Sequence, residues 1–305
     1  MTTQDSTGGG SGICKGVTRM LLERESPSIR KAVSRAALKP LFFRPSADGA
    51  SAVILGRRKA NIEDAAAELS KATGQKCLGI QADVRQLETL EAAVKQTVAE
   101  LGRIDFVVAG AAGNFLAPID GLSSNAFRTV LEIDTIGTYN TFKATVAELL
   151  KTHGSFQAIS ATLHYKGMPL QAHVSAAKAG VDALVRVIAV EYGPRGIRAN
   201  CIAPGPIAGT EGMDRLMPKV RPERSREAFP HREYLEEHLK QIPLQRYGRI
   251  DEIASASTFL FSPAAAYITG TTLVVDGADY HTGGSLRAAP ERRSGSNSRK
   301  GDSKL

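Results

Sequence analysis

The sequence predicts a doubly wound α/β fold, a parallel sheet with helices on both faces. Two observations carry that expectation. Short apolar strands at Cys77 to Ile80, Ile104 to Val108, Phe156 to Ile159 and Leu273 to Val275 alternate with helical segments such as Ile62 to Thr73 and Leu87 to Leu101. Such alternation implies parallel strands joined by crossover helices. Short polar or glycine-rich pieces then follow the strands: Asp83 to Arg85, Ala109 to Phe115, Ser160 to Lys166 and Pro204 to Thr210. In this fold class ligands sit beyond the carboxyl ends of the strands, so these pieces are the functional loops.

A chain of 305 residues can bury one large core, and one domain over 1–282 with appendages is expected rather than two. No apolar run reaches the roughly 18 residues that span a bilayer, and no hydrophobic leader suggests secretion. Cys14, Cys77 and Cys201 are odd in number and far apart, which fits neither a disulfide framework nor a zinc site. The net charge is +8, but Glu25 to Asp48 carries +3 and Gly283 to Leu305 carries +4. The body is therefore nearly neutral, and no basic face interleaved with aromatics points to nucleic acid.

Taken in order, the chain first presents Thr7-Gly8-Gly9-Gly10-Ser11-Gly12-Ile13-Cys14-Lys15-Gly16. Glycines at this density let the backbone turn tightly against a pyrophosphate, and a helix over Val17 to Arg24 would aim its first amides at the anion. A flexible linker has a similar composition, and no apolar strand precedes the run, so the sheet reads as lacking its first strand. The ribose-reading residue is expected about 20 positions on. The strand Ala52 to Leu55 ends instead at Gly56-Arg57-Arg58, 45 residues after Gly12. Removing Glu25 to Asp48, 24 residues with three prolines, leaves 21. Residues 25–48 therefore read as an insertion, such as a retained intron or a misplaced exon boundary.

Two charged residues stand out further along. On the helix expected from Asn125 to Lys151, Phe127, Val130 and Leu131 mark an inward stripe, and Asp134 is its next position. A carboxylate on a buried face is costly unless paired or protonated. Asp134 either caps a second helical segment after a break or is aimed at a site. In His173 to Gly180, Lys178 opens a helix whose stripe is Val181, Leu184, Val185 and Ile188. Its small neighbours leave room for something large beside the ammonium. Residues 211–245 form a long polar excursion, either a lid over a phosphorylated substrate or a solvated insert. Residues 283–305 are rich in Ser, Arg and Gly, a composition expected to be disordered. They end in Ser303-Lys304-Leu305, a tripeptide of the kind read by the peroxisomal import receptor.

Together the Thr-Gly-x-x-x-Gly run, Ala109-Gly110-Ala111-Ala112-Gly113, the helix-borne Lys178 and Pro204-Gly205-Pro206-Ile207 resemble the short-chain dehydrogenase/reductase family, with its Rossmann-like sheet. The family's usual Tyr-x-x-x-Lys places a tyrosine at position 174, where this chain has Val174. The stretches around Asn114-Phe115, Asp134-Thr135, Ser160 to Leu163 and Gly205 to Gly212 resemble the peroxisomal 2,4-dienoyl-CoA reductase branch, fungal type, in which that tyrosine is absent. This resemblance implies NADPH as cofactor, a fatty acyl-CoA as substrate, Asp134 and Lys178 as catalytic residues, a homo-oligomer and the peroxisomal matrix. It further implies cofactor contacts from Gly8, Gly9, Gly10, Ser11, Gly12, Ile13, Arg57, Asp83, Val84, Lys178, Pro204, Gly205, Pro206, Ile207 and Thr210. Arg85, Phe115, Ser123, Ser124, Asn125 and Arg215 would meet the acyl-CoA, with Phe115 equally open to core packing. Ser160, near the family's usual serine position, is open to bonding the thioester oxygen or a water; Tyr165 and His164, in the loop after that strand, are open to mimicking the missing acid, with His164 read first as a plain loop residue. The rival expectations are another peroxisomal NADP-dependent carbonyl reductase of the same fold, and a chain that does not function without its first strand. No metal site is expected.

Overall fold

The computed structural model describes residues 41–46, 49–210, 212–213 and 239–282. Seven strands form one sheet: β1 (Leu41–Ser46), β2 (Gly49–Gly56), β3 (Cys77–Gln81), β4 (Phe106–Ala109), β5 (Ser155–Ile159), β6 (Arg198–Pro204) and β7 (Thr272–Val275), in the order β3-β2-β1-β4-β5-β6-β7. The helices are α1 (Lys59–Thr73), α2 (Leu87–Leu101), α3 (Ser124–Leu131), α4 (Gly137–Thr152), α5 (Leu163–Lys166), α6 (Ala172–Tyr192) and α7 (Ile250–Phe261). Separate apolar clusters build up the core: Val53, Leu90, Val107, Phe156 and Val185 belong to one, and Ile54, Leu69, Val108, Ile202 and Leu260 to another. Adjacent residues of one strand divide between them, as the period of two requires. The sheet is therefore covered on both faces, as expected. β6 was not among the strands read from sequence.

β1 corrects one part of the expectation. No parallel first strand is present among the described residues, yet its central slot is filled. Residues 41–46, inside the segment read as an insertion, pair antiparallel with β2 (Phe42 opposite Val53) and with β4 (Phe42 opposite Val107). The physical reason is backbone accounting. Val53, Ile54, Val107 and Val108 are fully buried, and a missing neighbour would leave their peptide groups unpaired away from water. An antiparallel strand needs only a tight connection to β2, whereas a parallel one needs a crossover. Pro45 lies beyond the three residues that pair with β4, so its missing N–H interrupts only one ladder.

The reversal has a topological consequence. Leu41 stands opposite Ile54 and Val108, near the carboxyl ends of β2 and β4. The preceding chain therefore joins the sheet at the edge where the functional loops lie. We expect Phe42→Pro, which removes a ladder donor between two buried neighbours, to cost at least about 2 kcal/mol. A urea midpoint unchanged from the parent would contradict the central placing of β1.

Candidate active site

Asp134 sits in a π-helical turn, Glu132–Ile136, that joins α3 to α4. The expected single helix is thus broken, and the break and the inward aim occur together. A π-turn adds a residue to the ring of the helix and turns a side chain off the regular stripe. Asp134 is completely buried. Its Oδ1 accepts the Gly113 N–H at 2.7 Å, from the loop after β4. Its Oδ2 lies 3.0 Å from Lys178 Nζ, an ion pair too oblique to count as a good hydrogen bond. Burial pushes the Asp134 carboxyl above its ordinary range, against the opposing pull of the Lys178 charge and the Gly113 N–H. Lys178, 4% exposed, donates to the Ile159 carbonyl at the end of β5, 2.9 Å away. One contact pair therefore ties together the loop after β4, the π-turn, α6 and β5.

Glycines set this geometry at two places. A Cβ on Gly137 would stand 2.7 Å from Val84 Cγ2, so only glycine lets the π-turn close on the loop after β3. A Cβ on Gly180 would meet Thr135 at 2.9 Å, and Thr135 Oγ1 donates to Ala177 O at 2.9 Å. The small residue at 180 thus makes room for the π-turn rather than for a ligand. Val174, in the place of the family tyrosine, is buried against Val130 and Ala177, with Phe115, Leu131 and Leu163 around it. No hydroxyl reaches Lys178 from that position.

Among the other residues singled out, Arg57 follows β2 and Asp83 follows β3, with the Arg57 charge acting on the Asp83 carboxylate. Arg85 is paired with Asp83, its Nη2 2.6 Å from Oδ2. Val84 is core, and Asn140 on α4 holds its carbonyl at 2.9 Å. Pro204 ends β6, and Gly205 donates to Val275 O at 3.1 Å. Pro206 and Ile207 pair with Gly248, while Thr210 Oγ1 donates to Ile207 O at 2.9 Å. Ser123 caps α3 by accepting the Ala126 N–H. Ser124 borders an open apolar groove of about 640 Å³ shared by Leu122, Phe127, Leu131 and Ala172. Asn125 is exposed. Phe115 stacks on His173, centroids 4.1 Å apart. Gly8, Gly9, Gly10, Ser11, Gly12, Ile13, Arg215 and Ser303-Lys304-Leu305 lie outside the described residues.

The loops after five strands thus lie at one edge, and two of them carry buried polar atoms without a hydrogen-bond partner, Asn114 Oδ1 and Ser160 Oγ. A basic side chain at Arg57, a carboxylate at Asp83 and an ammonium at Lys178 suit the phosphate, adenine and ribose groups of a dinucleotide, so the residues present fit such a cofactor. Among the buried charges that sequence reasoning missed, Asp182 stands nearest the candidate residues His164 and Tyr165. Asp182, 3% exposed, accepts from Tyr165 OH at 2.7 Å and lies 2.9 Å from His164 Nε2. Its position four residues after Lys178, on the same helix face, was the available signal. Burial, then the hydrogen bond and charge of Asp182, push the Tyr165 phenol well up, so it is a poor proton donor. Both described cysteines are free and buried; burial raises Cys77 to about 12.

Comparison with known proteins shows the family. The profile of the family described as Enoyl-(Acyl carrier protein) reductase matches residues 44–278. The chain is 50% identical over 238 residues to the peroxisomal 2,4-dienoyl-CoA reductase [(3E)-enoyl-CoA-producing] of Saccharomyces cerevisiae, covering 77% of each. It is 47% identical over 235 residues to the protein of the same description from Danio rerio, covering 77% of this chain and 74% of the relative. A short chain dehydrogenase from Bacillus anthracis superposes with a TM-score of 0.67 at 30% identity, covering 89% of this chain and 93% of the other.

Gly137→Ala should cost about 1–3 kcal/mol by overpacking against Val84. Adding Val84→Ala should recover part of that loss. Additive costs in the double variant would show that the two sites do not touch.

Proposed function

Because the chain belongs to the short-chain dehydrogenase/reductase family, whose fold takes a nicotinamide cofactor, we propose that it is an NADPH-dependent 2,4-dienoyl-CoA reductase producing the 3-enoyl-CoA. The observation that carries this reading is the Asp134–Lys178 pair at 3.0 Å beside a buried Val174. Carbonyl reduction needs a hydroxyl to exchange a proton with the substrate oxygen, and position 174 offers none. Reduction of a dienoyl thioester needs something else: stabilisation of negative charge on the thioester oxygen and a proton source at C2.

A bound dihydronicotinamide would supply the hydride that the dienoyl group takes at C5. Lys178 would hold the nicotinamide ribose and contribute positive potential where the oxyanion develops. Asp134, with its carboxyl raised by burial, polarises or reprotonates the water that protonates C2, or relays that proton itself. The C2=C3 and C4=C5 double bonds are replaced by one at C3=C4, and one proton is consumed per turnover.

Arg57 at the end of β2 supports a 2′-phosphate and hence NADPH, since a guanidinium pairs with phosphate where an acid would exclude it. Gly8 to Ile13 would meet the pyrophosphate; Leu41, 28 residues after Ile13, joins the sheet at the edge this requires. Asp83, Val84, Pro204 to Ile207 and Thr210 complete the cofactor contacts. Arg85, Phe115, Ser123 to Asn125 and Arg215 would meet the acyl-CoA. The domain limits 1–282 and 283–305 and the lid over 211–245 belong to the same reading. The relatives described as peroxisomal 2,4-dienoyl-CoA reductases support a place in the peroxisome. A homo-oligomer is supported by exposed apolar side chains on the π-turn and on α4 and α6, including Ile136, Tyr139, Val187 and Val190.

Asp134→Asn keeps an acceptor for the Gly113 N–H and removes the charge. Its kcat with a 2,4-dienoyl-CoA should fall by about 10²-fold or more, with NADPH affinity little changed. A purified parent chain that oxidises NADPH with carbonyl substrates but not with a 2,4-dienoyl-CoA would sink the proposal.

A further inference from the structure

The valine at position 174 belongs to a small apolar cluster of its own. Val130, Val174 and Ala177 are buried in it, while Phe115, Leu131 and Leu163 pack against them and are only half-buried among the described residues. A ligand beside position 174 therefore touches the half-open members and not the valine. Leu131 opens on a different side, where it lines the groove shared with Ile119, Ile136 and Ala172. Phe115, on the loop after β4, and Leu163, the first residue of α5, remain as the open part of the wall.

Leu163 owes its place to contacts outside α5, because a helix of one turn cannot hold itself. The sheet fixes the chain before it: Ser160 N–H donates to Ile202 O at 2.7 Å, and the Ile159 carbonyl accepts from Lys178 at 2.9 Å. Side chains fix the residues after it. Asp182 Oδ2 accepts from Tyr165 OH at 2.7 Å and lies 2.9 Å from His164 Nε2. Lys166 Nζ lies 2.9 Å from Asp279 Oδ2, and the Tyr165 ring meets Tyr280 edge-on at 5.5 Å. Asp182 is 3% exposed, and a carboxylate so deeply buried needs donors. The two residues that directly follow Leu163 face it.

The spacing on α6 connects this anchor to the reaction site. Val174, Lys178 and Asp182 fall four residues apart, on one face of the helix. That face carries in succession the valine under the wall, the ammonium of the buried pair and the carboxylate that holds α5.

We propose that Leu163 is a substrate-recognition residue, forming with Phe115 the apolar wall on which the dienoyl group of the acyl-CoA lies, and that Asp182 is the positioning residue that keeps Leu163 there. The inference rests on the proposed reductase activity and deepens it. A conjugated dienoyl chain is flat and apolar, so beyond its carbonyl it is recognised by burial and shape alone. A wall fixed one helical turn from Lys178 sets where its reacting carbons lie relative to the pair, as a positioned reaction requires. Asp182 does not touch the reacting atoms; it acts through α5.

The test uses the full chain and reads binding apart from turnover. A 2,4-dienoyl-CoA is titrated by calorimetry in the presence of NADP⁺, which cannot reduce it, and kcat and both KM values are then measured with NADPH. Leu163→Ala should raise the Kd of the dienoyl-CoA about threefold to tenfold, the size of a lost aliphatic contact, with KM for NADPH unchanged. Leu163→Met, which restores the length, should recover most of that loss. Asp182→Ala should weaken the dienoyl-CoA by a similar factor and again spare NADPH, whereas Asp182→Asn, which keeps an oxygen for both donors, should recover most of it. If Asp182→Ala does not fold, Tyr165→Phe takes its place and should give a smaller loss in the same direction. A parental Kd in Leu163→Ala overturns the wall. Equal weakening of both ligands in Asp182→Ala, no recovery in Asp182→Asn, or no loss in the replacement variant overturns the positioning role. A parent that binds the dienoyl-CoA but does not reduce it with NADPH removes the reductase reading and leaves the wall standing; one that does not bind it overturns both.

Discussion

Two charged groups, almost entirely removed from water, face each other at 3.0 Å where four parts of the chain meet: Asp134 and Lys178. Placing either alone in the interior would be strongly unfavourable, and breaking a buried pair commonly costs about 3–5 kcal/mol. The surrounding structure reads as the set of conditions that hold this pair. Gly113 donates to the carboxylate, Ile159 accepts from the ammonium, and Thr135 binds α6 next to the lysine. Gly137 and Gly180 let the π-turn approach both of its neighbours. A buried ion pair is weak evidence of stability in its own right. Its retention here makes sense as chemistry, because the same contact keeps a proton-binding carboxyl beside a fixed positive charge.

The substitution of valine for tyrosine at position 174 changes what such a site can do. Without a phenol at 174, that position offers the ammonium no hydroxyl to activate, and among the described residues the acid in contact with it is Asp134. Tyr165, the nearest substitute considered from sequence, spends its hydroxyl on Asp182. A substrate that receives hydride at carbon and takes its proton at another carbon suits this arrangement better than a simple carbonyl does.

Much of this was legible in the sequence, for physical reasons that differ from residue to residue. Asp134 could be found because an apolar stripe makes a carboxylate conspicuous, and Lys178 because its neighbours are small. The strands Cys77–Gln81, Phe106–Ala109 and Ser155–Ile159 could be found because buried parallel strands are nearly continuous apolar runs. The π-turn could not, since one extra residue in a helical ring leaves no compositional mark. β1 was hidden for another reason. Leu41 to Phe43 is a short apolar run followed closely by Pro45, and its role is set by the unpaired backbones of β2 and β4, which are distant or reversed in direction. Asp182 was hidden because it directly follows Val181 of the helix's apolar stripe, where a single charge reads as the edge of the solvent face.

The most direct test of the central claim, that the buried pair reduces a conjugated thioester by carbon protonation, is product analysis in deuterated water. Purified chain, NADPH and a 2,4-dienoyl-CoA are incubated in D₂O, and the product is resolved by NMR. The account predicts a 3-enoyl-CoA carrying one solvent deuterium at C2 and hydrogen from the cofactor at C5. A 2-enoyl-CoA, with the solvent deuterium at C4, would contradict it.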